Sequence, residues 1–328
     1  MEILAPTTSL PESVGGTVVT VGTFDGVHLG HQDVLGRLVR RAHAARVSSL
    51  LVTFEPHPLE VLNPAAAPLL LTTREEKVAA LGATGLDYVA ILAFTPEVAA
   101  QSAEDFVDRV LLARFRMRAL FIGHDHGFGR GREGDVETLR LLGAARAFDV
   151  EVVAPVQTPQ GDAVSSSLVR RAVAAGELAD AAAALGRDYG VSGRVVRGDA
   201  RGRTLGFRTL NIEPGSPRKL LPPDGVYTVE VRTSRGRYGG MMNLGGRPTF
   251  GDERRLVEAH LFDAEGDFYG ELVHVAFVGR LRDIMRFDGP DALMTQLAAD
   301  ERAARRALTA VGGAGNLNGS TPVPPSTP

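Results

Sequence analysis

"TVVTVGTFDGVHLGHQDVLGRLVRRAHAAR", Thr17 to Arg46, is the stretch from which the fold is read. Its opening, TVVTVG, is an unbroken β-branched run, the pattern of a strand buried on both faces. A turn containing Gly22, Gly26 and Gly30 follows, and then Val34, Leu35, Leu38, Val39 and Ala42 fall on one helical stripe. Strand, glycine turn and helix in that order open a parallel α/β sheet, where the first such turn is a favoured place for phosphate. This turn carries His28 and His31, three residues apart. Glycines explain the turn but not the histidines. Two readings stand at this point: imidazoles that donate to phosphate oxygens, or incidental residues of a tight turn.

Working outward, SLLVTF (49–54), DYVAILAF (87–94), ALFIG (119–123) and VEVVAPV (150–156) read as further buried strands. SAEDFVDRVLLARF (102–115) reads as one helix opened by a capping box, Ser102 and Asp105, and VETLRLLGAARAF (136–148) as another. The alternation predicts an α/β, Rossmann-like first half. SSLVRRAVAAGELADAAAALG (166–186) reads as a single Ala-rich helix. Beyond it the pattern changes to short β-type segments separated by Gly and Pro: GRVVRG, GVYTVEV, YGGMMNLGG, VEAHLF and ELVHVAFVG. That spacing predicts a small antiparallel β-barrel, closed by a C-terminal helix that starts at Pro290. The expected domains are 1–184 and 185–310, followed by a disordered, uncharged tail over 311–328.

Composition sets the bounds. The 328 residues are 44% hydrophobic and 23% charged with a net charge of −3, so no global basic field attracts nucleic acid or an anionic membrane. Lysine occurs only at Lys77 and Lys219; the other basic side chains are arginines, planar forks suited to phosphate. Cysteine is absent, and neither a signal-peptide pattern nor a membrane-length apolar run is present. A soluble, cytoplasmic protein is expected. No feature of the sequence selects an oligomeric state.

Three other stretches carry possible chemistry. VSSSLVRRA (164–172) places hydroxyls at a helix start with Arg170 one turn on, which is either an anion site or an ordinary N-cap. GDARGRTLGFRTLNI (198–212) sets Thr209 and Asn211 two apart, so on a strand both face one way and offer hard oxygens to Mg²⁺; the other reading is a Gly-rich hairpin with exposed polar residues. In LVEAHLF, Val257, Ala259 and Leu261 form one strand face and leave Glu258 and His260 on the other. There, Glu258 is either a positioned base or a solvated carboxylate. No G-x-x-x-x-G-K-[ST] motif exists, so phosphoryl transfer would need another design. His124–His126 (HDH) lacks further spaced ligands for a metal site, and His57 in EPHP reads by itself as a turn histidine.

Together GTFDGVHLGH and SSSLVRRA resemble the HxGH and SSTxxR signatures of the nucleotidyltransferase superfamily. TFDGVHLGH, TFEPHP and GHDHGFGRGREGD are similar to the FMN adenylyltransferase module of the prokaryotic bifunctional riboflavin kinase/FAD synthetases. GDARGRTLGFRTLNI, NLGGRPTFG, VEAHLFD and GDFYGELVHVAFVGRLRDIMRF resemble its kinase module, in the same order along the chain. The resemblance implies that Gly22, Phe24, His28, His31, Ser166, Ser167 and Arg170 bind ATP for adenylyl transfer, and that His57 and Asp125 contact FMN. It implies that Gly198, Arg201, Gly206, Thr209 and Asn211 bind ATP and Mg²⁺ in the kinase, Thr209 and Asn211 being the metal ligands, with Glu258 as general base. Riboflavin, FMN and ATP are the implied small-molecule substrates. The chain departs from the family in Ser167 for Thr, in Leu168 for Arg, and in Arg208-Thr209-Leu210-Asn211 for Pro-Thr-Ala-Asn.

The implied chemistry suits these residues. An FMN phosphate is largely dianionic at neutral pH and attacks the α-phosphorus of ATP without a base. A ribityl hydroxyl is not ionised and needs one. Two other functions are weighed: an FMN adenylyltransferase whose second half only binds flavin as a regulatory module, and a nucleotidyltransferase for another small phosphate, such as pantetheine phosphate or nicotinamide mononucleotide.

Overall fold

The computed structural model describes residues 1–123, 127–198, 207–246 and 255–312. Asp125 and its two histidine neighbours, Arg201, Gly206 and the tail from 313 lie outside the described residues. The chain divides into two units, residues 1–69 with 80–165, and residues 70–79 with 166–328.

In the first unit, β1 (Glu2–Leu4), β2 (Thr17–Val21), β3 (Ser48–Glu55), β4 (Tyr88–Ala93), β5 (Met117–Gly123) and β6 (Asp149–Val153) form one sheet in the order β1-β4-β3-β2-β5-β6. Every pairing is parallel. All five residues of β2 are buried, as the unbroken run requires of a central strand. Strand order reverses between β2 and β5, and α/β sheets bind ligands at the carboxyl ends of the strands at such a reversal. Helix α1 (Leu29–Ala45) buries Leu35, Leu38 and Ala42, three of the five predicted stripe residues.

Two helices depart from expectation, and β1 and two further short helices, α2 (Pro58–Leu62) and α3 (Arg74–Gly82), gave no clear pattern in the sequence. Residues 102–115 are not one α-helix. Helix α5 (Ala103–Phe106), preceded by the short α4 (Pro96–Ala99), passes into a π-helical stretch (Val107–Arg114). There the Phe115 N–H reaches back five residues to the Val110 carbonyl at 3.1 Å. Ser102 does cap this helix, accepting from the Asp105 N–H at 3.0 Å. Helix α6 (Val136–Arg146) follows as read. The Ala-rich helix is two, α7 (Ser166–Ala175) and α8 (Leu178–Leu185), because Gly176 takes φ +80° and ends the first.

In the second unit, β7 (Gly190–Val196), β8 (Leu210–Pro214), β9 (Gly225–Thr233), β10 (Gly236–Gly246), β11 (Arg255–Leu261) and β12 (Leu272–Arg282) close into an antiparallel barrel, β10-β11-β8-β7-β12-β9. Tyr227, Val229, Val231, Met242, Leu244, Val257, Ala259, Val275 and Phe277 are among its buried residues. Helix α9 (Pro290–Gly312) lies on the outer wall, where Ala304, Leu297 and Leu308 pack with Met241, Phe262 and Phe207. The Arg282 guanidinium binds the buried Asp300 carboxylate through two nitrogens, with Nη2–Oδ2 at 2.7 Å, and so ties α9 to β12.

Residues 70–79 join this unit through a buried ion pair. Lys219 Nζ donates to Glu76 Oε2 at 2.7 Å and to the Leu71 carbonyl at 2.6 Å, and lies 4.5 Å above the Tyr189 ring. Glu76 also accepts from the Ser192 N–H at 2.5 Å and the Thr73 N–H at 2.9 Å, so both of its oxygens are bonded. Ser192 Oγ lies 2.9 Å from His274 Nδ1.

Candidate active sites

The first site is the turn between β2 and α1. Phe24, Gly26 and Val27 all take positive φ (48°, 84° and 42°), and two of them are not glycine. Such strain persists only where the surroundings over-determine it. Phe24 and Val27 are buried, the Thr53 hydroxyl donates to the Thr23 carbonyl at 3.0 Å, and the Gln32 amide donates to the Val27 carbonyl at 2.9 Å.

His28 is the N-cap of α1, its Nδ1 accepting from the His31 N–H at 3.3 Å. That acceptor role assigns the ring proton to Nε2. The two imidazoles stack with centroids 3.7 Å apart, and Phe24 stacks on the far side of His31 at 4.4 Å. Three aromatic rings therefore stand in one pile at a helix start. Gly30 makes the pile possible: a Cβ there would sit 3.2 Å from the His28 ring and from the Val164 carbonyl. The H-x-G-H spacing is thus a packing requirement as well as a chemical one.

The remaining residues expected for adenylyl transfer are placed as follows. Gly22 follows β2, its N–H donating to the Val52 carbonyl at 3.0 Å. His57 follows β3 and caps α2, its Nδ1 accepting from the Leu59 N–H at 3.2 Å while Glu60 accepts from the His57 N–H at 3.1 Å. Ser166 and Ser167 open α7 in the second unit, with Ser167 exposed and Arg170 half-buried one turn on.

The second site is a row across the barrel wall. Strand register sets Asn211 opposite Glu258, and Glu258 opposite Asn243. Directly opposed residues share a face with Cβ atoms about 4.5–5.5 Å apart. Their strand neighbours Ile212, Val257, Ala259, Met242 and Leu244 are buried on the inner face, so the row lies on the outer one. Two residues proposed from separate motifs are thereby adjacent. Asn243 stands in NLGGRPTFG but was not singled out in the sequence, because only strand pairing brings it to Glu258.

Gly198 belongs to the same cluster. A Cβ there would lie 2.5 Å from Asn211 Oδ1 and closer to the rest of its amide, so the Asn211 side chain fills the space over that glycine. Asn211 Oδ1 is buried and has no hydrogen-bond partner among the described residues. A buried orphan amide oxygen calls for a donor or a cation. Thr209, half-buried just before β8, supplies a hydroxyl two residues away. The oxygen donors fit Mg²⁺. His260, also on the outer face of β11, donates from Nδ1 to the Arg208 carbonyl at 2.8 Å.

Comparison with known proteins covers both sites. The family model of FAD synthetase matches residues 10–168, and that of riboflavin kinase matches 185–308. The bifunctional riboflavin kinase/FMN adenylyltransferase of Escherichia coli K12 is 39% identical over 293 residues, 88% of this chain and 92% of the relative. The Pseudomonas fluorescens enzyme of the same description is 40% identical over 291 residues, again 88% and 92%. A crystal structure from Streptococcus pneumoniae, described as a macrolide-efflux protein, superposes with a TM-score of 0.80 at 30% identity, covering 92% of this chain and 98% of that one. Among the described residues of the present chain, no helix is long and apolar enough to cross a membrane.

Proposed function

The chain belongs to the bifunctional riboflavin kinase/FMN adenylyltransferase family, and from that premise we propose which residues carry each of its two reactions. It phosphorylates riboflavin to FMN with ATP and transfers an adenylyl group from ATP to FMN, giving FAD and pyrophosphate. The match of 185–308 to riboflavin kinase favours catalysis over a flavin-binding module alone. We assign adenylyl transfer to 1–184 and phosphorylation to 185–310, in the cytoplasm.

For adenylyl transfer, we assign His28 and His31 to the ATP phosphates, with Gly22 and Phe24 in the adjoining turn and His57 and Asp125 toward FMN; the resemblance of their motif assigns Ser166, Ser167 and Arg170 to the same nucleotide. The Nδ1 cap supports this reading for His28, because it directs the ring's proton to Nε2, where it serves as a donor to a phosphate oxygen. A phosphate oxygen of FMN attacks the α-phosphorus as the bond to pyrophosphate breaks. Charge stabilisation and in-line positioning are the whole demand.

For phosphorylation, Glu258 takes the proton of the terminal ribityl hydroxyl as that oxygen bonds to the γ-phosphorus and ADP leaves. Thr209 and Asn211 hold Mg²⁺, which neutralises phosphate charge when bound; Gly198, Arg201 and Gly206 line the nucleotide. The observation that carries the assignment is the orphan Asn211 oxygen set directly opposite Glu258.

The test is chromatographic: flavin-free protein with ATP and Mg²⁺, given riboflavin or FMN. Glu258→Gln is expected to abolish FMN formation from riboflavin, by at least about 10²-fold, and to spare FAD formation from FMN. His28→Ala is expected to do the reverse. Either variant losing both activities equally, or neither, overturns the assignment.

A further inference from the structure

We propose that Asn243 is a positioning residue for riboflavin phosphorylation, donating its side-chain N–H to the Glu258 carboxylate; this rests on Glu258 being the base. Three observations carry it. First, β10–β11 pairing sets Asn243 directly opposite Glu258, where side chains share a face. Second, Asn is a poor strand former, yet it interrupts an apolar strand: Met242 and Leu244 beside it are fully buried, and Met241, two residues back on the same face, packs beneath α9. No local turn needs an Asn there. Third, the neighbour on the other side of Glu258 is Asn211, whose oxygen is orphaned and assigned to the metal.

A carboxylate that removes a proton from a hydroxyl must aim one oxygen at it. An amide donor holding the other oxygen fixes that aim. An arginine or lysine at 243 would instead pair with the carboxylate and compete with the substrate; an aspartate would repel it. The amide is the side chain that orients without neutralising.

Asn243→Ala and Asn243→Asp are to be measured in the full chain with riboflavin, ATP and Mg²⁺, with FMN adenylylation by the same samples as the folding control. Asn243→Ala is expected to lower kinase kcat about tenfold with KM for riboflavin changed by less than about twofold. Asn243→Asp, which sets an acceptor where the donor stood, is expected to lower kcat at least as far. A kcat within about twofold of the parent in both variants, or a loss carried by KM instead of kcat, refutes positioning. Glu258→Gln separates the two assignments. If it retains phosphorylation, the base assignment fails and this proposal with it; if it is inactive while Asn243→Ala keeps the parental kcat, only the role of Asn243 is refuted.

Discussion

Replacing Gly198 by alanine tests the kinase site at the glycine over which the Asn211 amide lies. A Cβ at this position would come within 2.5 Å of Asn211 Oδ1, where ordinary contact begins at 3.4 Å, so the amide must retreat by roughly 1 Å. The obstacle is the end of one side chain rather than backbone, and Gly198 has no positive φ, so the fold accommodates the change at little cost. Function does not. A displacement near 1 Å in a positioned group costs about 10²-fold in rate, equivalent to about 3 kcal/mol of transition-state stabilisation. The expected result is a kinase kcat down by about 10²-fold, an unchanged rate of FAD formation from FMN, and a melting temperature within about 2 °C of the parent. The assay is product chromatography beside thermal unfolding. Gly198→Ala with parental kinase activity and parental stability would show that the Asn211 amide takes no part in the reaction.

Two further outcomes follow from the buried network of the second unit. His274 is pushed down to about 4, first by desolvation, with Arg232, Lys219 and Arg187 opposing its charge and Glu76 favouring it. Below the unfolded value near 6.5 the unfolded chain takes up a proton that the native ring refuses, so stability falls between about pH 6.5 and 4 by up to about 3 kcal/mol, and nearer 2 because the residue is only half-buried. Urea unfolding of the parent and His274→Asn at pH 7 and 4.5 should show the smaller loss in the variant; equal losses would refute it. Lys219→Met should destabilise by about 3–5 kcal/mol by stranding Glu76, and Glu76→Gln in the same chain should recover part of that. If the double variant is less stable than Lys219→Met alone, the pair is not coupled as described.

What was legible in the sequence was what is local. The β2–α1 unit announced itself through a β-branched run, a glycine turn and a stripe of 3.6-residue period, all within thirty residues or so, and the histidine pair sits where that unit predicts a ligand. The π-helical stretch before Phe115 was not legible, because an N–H that reaches back five residues instead of four is a backbone choice that no residue type in VDRVLLAR marks. The break at Gly176 was written in the glycine but hidden by alanines on both sides. Least legible was the joining of residues 70–79 to the barrel unit, which depends on a lysine pairing with a glutamate 143 positions away. Its sequence signal was the scarcity of lysine itself: with every other cation but Lys77 an arginine, Lys219 was a residue to ask about. At the kinase site, alternation along β11 separated Glu258 from the core, but its neighbours Asn211 and Asn243 come from other strands, and register is a tertiary property.

The two reactions demand different scaffolds, and the residues divide accordingly. A dianionic phosphate needs donors around it, which a helix start with two stacked imidazoles provides. A hydroxyl needs a base, and the outer face of β11 offers two, Glu258 and His260. Strand register singles out Glu258, which stands opposite Asn211, the proposed metal ligand. His260 donates its Nδ1–H to the Arg208 carbonyl, which leaves Nε2 as its basic nitrogen, and stands with its ring 5.0 Å from Phe207 and 5.9 Å from Phe262, so it also acts as a strut. That strut also accounts for the unusual Arg208. The family's proline would restrict the backbone before Thr209 through its ring; here the Arg208 side chain is exposed while its carbonyl is held by His260. Anchoring from a neighbouring strand replaces the restriction that the ring would have imposed, and Thr209 and Asn211 keep their spacing without it.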